Sequence, residues 1–221
     1  MLVPRLARAV FVPVTHVAFR PTVEGREHIP LNGAVILAAN HLSFLDSFII
    51  PLMSPRPVAF LAKQEYFTRR GLRGWIDRTT LTAVGAIGVP RGAHRAAQEA
   101  LETALRVLKD GQAFGIHPEG SRSRDGRLYR GRTGVAWLAL ASGAPVVPVA
   151  VLGTDRVQPV GARFPRPGRV TVRFGEPLRF SPPTGSAAKA RRDATDQIMD
   201  AIAALSGQER AAAYNELSGT P

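Results

Sequence analysis

The sequence predicts an α/β domain with a largely parallel central sheet flanked by helices. Three observations carry that prediction. Short, almost unbroken apolar runs at residues 35–39, 58–62, 112–116 and 146–152 have the length and composition of strands buried on both faces. Segments with a helical apolar stripe, clearest at 93–109, alternate with them. At 221 residues, 45% hydrophobic and 21% charged, the chain has ordinary globular usage and enough length for one core.

In chain order, residues 1–20 repeat Leu2, Leu6, Val10 and Val14 at helical intervals, with Arg5 and Arg8 between them. That is the pattern of an N-terminal amphipathic, membrane-interacting helix lying among lipid headgroups; packing on the protein's own core would give the same spacing. Pro13 is expected to interrupt it. The folded domain spans 21–206. Asn32-Gly33 turns the chain into strand 35–39, and Ser43 is expected to cap a helix over 44–53 that Pro51 and Pro55 break. Strand 58–62 leads into a basic and aromatic stretch, 63–78. Helix 93–109 aligns Ala97, Leu101, Leu105 and Leu108 on one face and stops at Gly111. Strand 112–116, helix 134–142 and strand 146–152 follow, with Gly143 and Pro145 ending the helix. Residues 169–174 alternate like one more strand, 187–205 read as a helix, and 207–221 as a loosely held polar tail.

Composition removes several functional classes. With no cysteine, disulfides, thiolate metal sites and a Cys nucleophile are excluded. Its five His, at 16, 28, 41, 94 and 117, form neither H-x-H nor H-E-x-x-H, so no metal site is expected. No run approaches the about 18 apolar residues of a spanning helix. The net charge of +12 favours anionic partners. Most single arginines are simply solvated, but Arg122, Arg124, Arg127, Arg130 and Arg132 form a cluster opposed only by Asp125. Nucleic acid is not the expected partner, since aromatics are only 7% and no RNP-type motif is present.

Two polar motifs begin where predicted strands stop. In Asn40-His41-Leu42-Ser43-Phe44-Leu45-Asp46, a carboxylate from a helix's first turn can reach back to the His. It would fix the tautomer and support the charge that builds when imidazole takes a proton. With no nucleophile beside it, the substrate's own hydroxyl would attack. The competing structural reading is a capping box of Ser43 and Asp46. In His117-Pro118-Glu119-Gly120-Ser121-Arg122-Ser123, glycine permits close backbone approach, Arg offers a fork for phosphate oxygens, and Glu can accept from a hydroxyl. A solvated turn would use the same residue types.

Taken together, N-H-x-S-x-x-D, the later P-E-G-x-R-S and Val147-Pro148-Val149 resemble the glycerolipid acyltransferase family, of the 1-acyl-sn-glycerol-3-phosphate acyltransferase type, over about residues 40–153. The resemblance implies that His41 is the general base and Asp46 its orienting partner. It also implies that Glu119, Gly120 and Arg122 hold the acceptor's glycerol and phosphate, that Arg91 adds a phosphate contact, and that Lys63 is a basic residue near the site. Three positions depart from the family pattern: Pro90 before Arg91 where an acid is frequent, His117 where Phe is common, and Ser121 for Thr. His117 thereby becomes a second candidate base. The implied reaction moves a fatty acyl group from acyl-CoA or acyl carrier protein to a hydroxyl of 1-acylglycerol-3-phosphate, giving phosphatidic acid. It would need no cofactor beyond the thioester co-substrate, and would run at an anionic membrane surface, peripheral to the cytoplasmic face of the cell membrane. The absence of Cys and of a G-x-S-x-G elbow argues against a covalent acyl-enzyme. Glycerol-3-phosphate, or another lipid or glycolipid hydroxyl, stays open as acceptor, and so does a non-catalytic membrane-docking protein.

Overall fold

The computed structural model describes residues 2–63, 85–89, 93–162, 164–182 and 184–215, with the isolated positions 68, 71, 74 and 81. Its strands are β1 Thr22–Glu24, β2 Val35–Ala39, β3 Val58–Lys63, β4 Ala86–Val89, β5 Ala113–Ile116, β6 Val146–Leu152 and β7 Thr171–Phe174. They form a sheet in the order β1-β7-β6-β2-β5-β3-β4, parallel except between β6 and β7. The helices are α1 Leu2–Phe19, α2 Asp46–Met53, α3 Ala93–Lys109, α4 Gly134–Ser142, the single turn α5 Thr154–Val157, and α6 Ala187–Ser206.

Strand alternation sorts the core into two layers. Val35, Leu37 and Ala39 of β2 join Ile49, Ile50 and Met53 of α2 on one face, with Phe11 and Phe19 of α1 packed against them. Ile36 and Ala38 join Ala104 and Leu108 of α3, Leu138 of α4 and Ile198 of α6 on the other. Burial on both sides is why β2 and β6 read as continuous apolar runs rather than alternating ones.

Three local differences from the sequence expectation have physical reasons. α1 runs through Pro13 because that residue lies on the exposed side, where water can take the carbonyl freed by the missing N–H. α2 starts at Asp46 rather than after Ser43, since residues 43–46 first close a turn in which Asp46 N–H donates to the Ser43 carbonyl at 3.2 Å. Residues 208–215, expected as a loose tail, instead pair with the loop after β5: Leu128 N–H donates to Glu209, Ala211 N–H to Leu128 and Arg130 N–H to Ala213. Among the described residues no helix is long and apolar enough to cross a membrane.

The topology creates the crevice. From β2 the chain moves outward to β3 and β4, returns as β5 between β2 and β3, then crosses to the other side of β2 as β6. Because β2, β5 and β6 are parallel neighbours, the residues following Ala39, Ile116 and Leu152 all emerge on one edge.

Candidate active site

The two polar motifs meet because their strands are neighbours in register, with Ala38 opposite Ile116. His41 directs Nδ1 to Asp46, whose Oδ2 accepts at 3.0 Å. The same oxygen accepts the backbone N–H of Leu42 at 2.7 Å and of Ser43 at 2.8 Å, and Asp46 is fully buried. That acceptor fixes the His41 proton on Nδ1. It leaves Nε2, which has no partner among the described residues, as the basic nitrogen. The capping reading is half realised, because Asp46 does reach back to the Ser43 N–H as the third residue of such a box does. Ser43 Oγ, however, donates to the Gln158 carbonyl at 3.0 Å. One carboxylate oxygen thus closes the turn and holds the imidazole.

His117 lies under His41, with ring centroids 3.9 Å apart and planes 8° from parallel. Its Nδ1 faces the Asn40 carbonyl at 2.9 Å and therefore must donate, so Nε2 accepts from the Ser47 hydroxyl at 3.2 Å. Burial pulls its pKa down to about 3. With both nitrogens occupied and the charged form suppressed, His117 is a neutral plate beneath His41 and not a rival base. Phe60 backs it at 5.5 Å. That ring has room because β5 carries Gly115 opposite Phe60; a Cβ there would overlap it.

Glu119 is turned inward. At 1% exposure it accepts the His41 N–H and the Tyr129 N–H, each at 2.9 Å, and offers no surface to a ligand in this arrangement. Here Glu119, expected to contact substrate, braces the two motif loops, and burial pushes the carboxyl up to about 7. Gly120 is exposed and closes the turn by donating to the His117 carbonyl at 3.0 Å, at a positive φ of 81° that glycine tolerates. Ser123 N–H donates to the His41 carbonyl at 2.7 Å and locks the two motif loops together.

Residues 20–152 match the acyltransferase family. The chain belongs to that family. A 1-acyl-sn-glycerol-3-phosphate acyltransferase of Arabidopsis thaliana is 28% identical over 165 residues, covering 74% of this chain and 45% of the relative. One from Borreliella burgdorferi is 32% identical over 133 residues, covering 60% and 51%. The chain therefore spans about half the length of these curated relatives. The crystal structure of the 1-acyl-sn-glycerophosphate acyltransferase PlsC from Thermotoga maritima superimposes with a TM-score of 0.68 at 28% identity, covering 92% of this chain and 78% of that one.

Within the acyltransferase fold the clustered arginines separate into two groups. Arg127 donates to Asp125 at 2.7 Å, and Arg130 and Arg132 lie over the Tyr214 ring at 5.2 and 5.6 Å. The side chains of Arg122 and Arg124 have no protein partner among the described residues, and Arg122 is half-buried. Lys63 ends β3 on the same sheet edge, while its side chain and the whole of Arg91 lie outside the described residues.

Sequence reasoning gave Asn40 no role and gave no reason to single out Gln208. Asn40 is buried and ties β2 to β6 through Val151, accepting its N–H at 2.7 Å and donating to its carbonyl at 2.9 Å. Its place before His41 was the available signal. Gln208 accepts a further Asn40 hydrogen bond at 2.7 Å from across the whole domain, and no local pattern marks it.

Proposed function

We propose that this acyltransferase moves a fatty acyl group from a thioester to the free hydroxyl of 1-acylglycerol-3-phosphate. The observation that carries the reading is the His41–Asp46 pair at 3.0 Å, on the edge that also presents the half-buried Arg122; among the described residues neither Nε2 nor the Arg122 guanidinium has a partner. Proteins of this family bearing that activity in their names support the choice of acceptor. His41 Nε2 takes the hydroxyl proton as the oxygen attacks the thioester carbonyl. The tetrahedral adduct then expels the thiolate, and the imidazolium, stabilised by Asp46, returns the proton to sulfur. The products are a new ester and a free thiol. Arg122 holds the acceptor phosphate.

The enzyme works at a membrane surface on the cytoplasmic face. Val10, Val14 and Val17 of α1 are 61%, 56% and 80% exposed and follow one another at helical spacing, while Thr15, Phe11 and Phe19 face the protein. The test is thiol release from a long-chain acyl-CoA and from acyl carrier protein, with lysophosphatidic acid and glycerol-3-phosphate as separate acceptors. Wild type should release thiol only with lysophosphatidic acid, and His41→Ala should lower that rate by about a hundredfold or more. Release with glycerol-3-phosphate alone would change the acceptor. No release from either donor by the folded protein would leave a docking protein.

A further inference from the structure

The loop after β5, residues 120–133, contains neither helix nor strand, so its backbone groups need partners from elsewhere. The segment after α6 supplies them. A parallel bridge joins Leu128 to Arg210, and Leu128 exchanges hydrogen bonds with Glu209 and Ala211 at 2.8 and 2.9 Å. Asn215 Nδ2 donates to the carbonyls of Ser121 and Arg122 at 3.2 and 3.1 Å. Gln208 is the residue that reaches the centre. Its Oε1 accepts from buried Asn40 at 2.7 Å, and its Nε2 donates to the Gly126 carbonyl at 2.6 Å. Gln208 also lines a pocket of about 360 Å³ beside Leu42, the residue next to His41, together with Arg156 and Arg169.

We propose that residues 208–215 form a strap that completes the active site, with Gln208 as the positioning residue. By bridging Asn40 to Gly126 it fixes the loop carrying Arg122 relative to His41. The phosphate grip and the base are then held at a set separation by a side chain that lies beyond the 20–152 stretch matching the family. An amide suits this bridge because it accepts at one end and donates at the other. A carboxylate could still accept from Asn40 but would face the Gly126 carbonyl with a second acceptor.

The assignment of Arg122 to the acceptor phosphate rests on the function proposed above, so the test has one readout that depends on catalysis and one that does not. Wild type, Gln208→Ala and the near-isosteric Gln208→Glu are compared by steady-state kinetics and by amide hydrogen exchange across 121–130. The Asn215→Ala variant serves as a second perturbation of the same strap. We expect faster exchange at Ser123 and Leu128, KM for lysophosphatidic acid raised about tenfold in Gln208→Ala, which loses two hydrogen bonds, and less in Gln208→Glu, which loses one, with little change in KM for the thioester. Unchanged exchange in both Gln208 variants overturns the strap. Faster exchange with unchanged acceptor KM makes it a brace for the fold alone and overturns the positioning role. A wild type that transfers to no acceptor sinks the functional reading instead. Exchange, and titration with glycerol-3-phosphate as a phosphate probe, then decide whether Gln208 orders an anion-binding loop.

Discussion

Two titratable groups packed against His41, buried Glu119 and half-buried His117, respond to pH with opposite sign. Burial raises the Glu119 carboxyl from 4.5 to about 7, so between those values the fold keeps a proton that the unfolded chain has lost. Its contribution is present at low pH and disappears as pH rises through about 7. Burial lowers the His117 imidazole from 6.5 to about 3, so between those values the unfolded chain takes up a proton that the fold refuses. That contribution is lost as pH falls below 6.5. The two slopes oppose each other where the windows overlap, and single replacements should uncover each. Between about pH 5 and 6.5, the thermal midpoint of Glu119→Gln should rise with pH and that of His117→Phe should fall. Parallel curves for the two variants would rule out this assignment. The letters of both motifs were legible in the sequence, but their directions were not. That Glu119 faces inward while the Arg122 side chain has no partner among the described residues follows from how a turn closes against β2 and from a loop ordered by residues far downstream, and no spacing rule records either.

At the level of elements, the predicted strands and helices fall within one or two residues of those observed, because apolar runs and glycine stops are local signals. What spacing could not show was which residues pack across strands. Gly115 of β5 sits opposite Phe60 of β3, whose ring in turn supports His117. Gly115→Ala should therefore destabilise by about 1–3 kcal/mol through overpacking. Phe60→Leu in the same chain should recover part of that loss, since the smaller side chain vacates the space the new methyl needs. Thermal or denaturant unfolding of the two single variants and the double would measure the coupling, and strictly additive losses would mean that the ring and the glycine are independent. The segment 208–215 departs from the loose-tail expectation for the complementary reason. Its polarity signals solvent, yet the partner for its backbone is a loop whose own hydrogen-bonding needs are invisible until β5 and α6 are placed.

Under the proposed function, two features of the whole molecule would bring it to a lipid surface, and they can be separated. The net charge of +12 attracts anionic headgroups over a distance that salt shortens, to roughly 10 Å at 0.1 M. The exposed valines of α1 would act only on contact, by removing apolar surface from water, and salt would leave that term in place. Binding to vesicles containing anionic phospholipid should therefore fall with added salt to a residual level rather than to zero. Replacing Val10, Val14 and Val17 together by Gln should weaken binding at every salt concentration, by about tenfold or more, and remove the residual level. Because these side chains face away from the domain, soluble-substrate activity and thermal midpoint should be unaffected. A triple variant that binds like wild type at high salt would show that α1 does not enter the lipid interface, and the charge alone would then have to place His41 against its substrate.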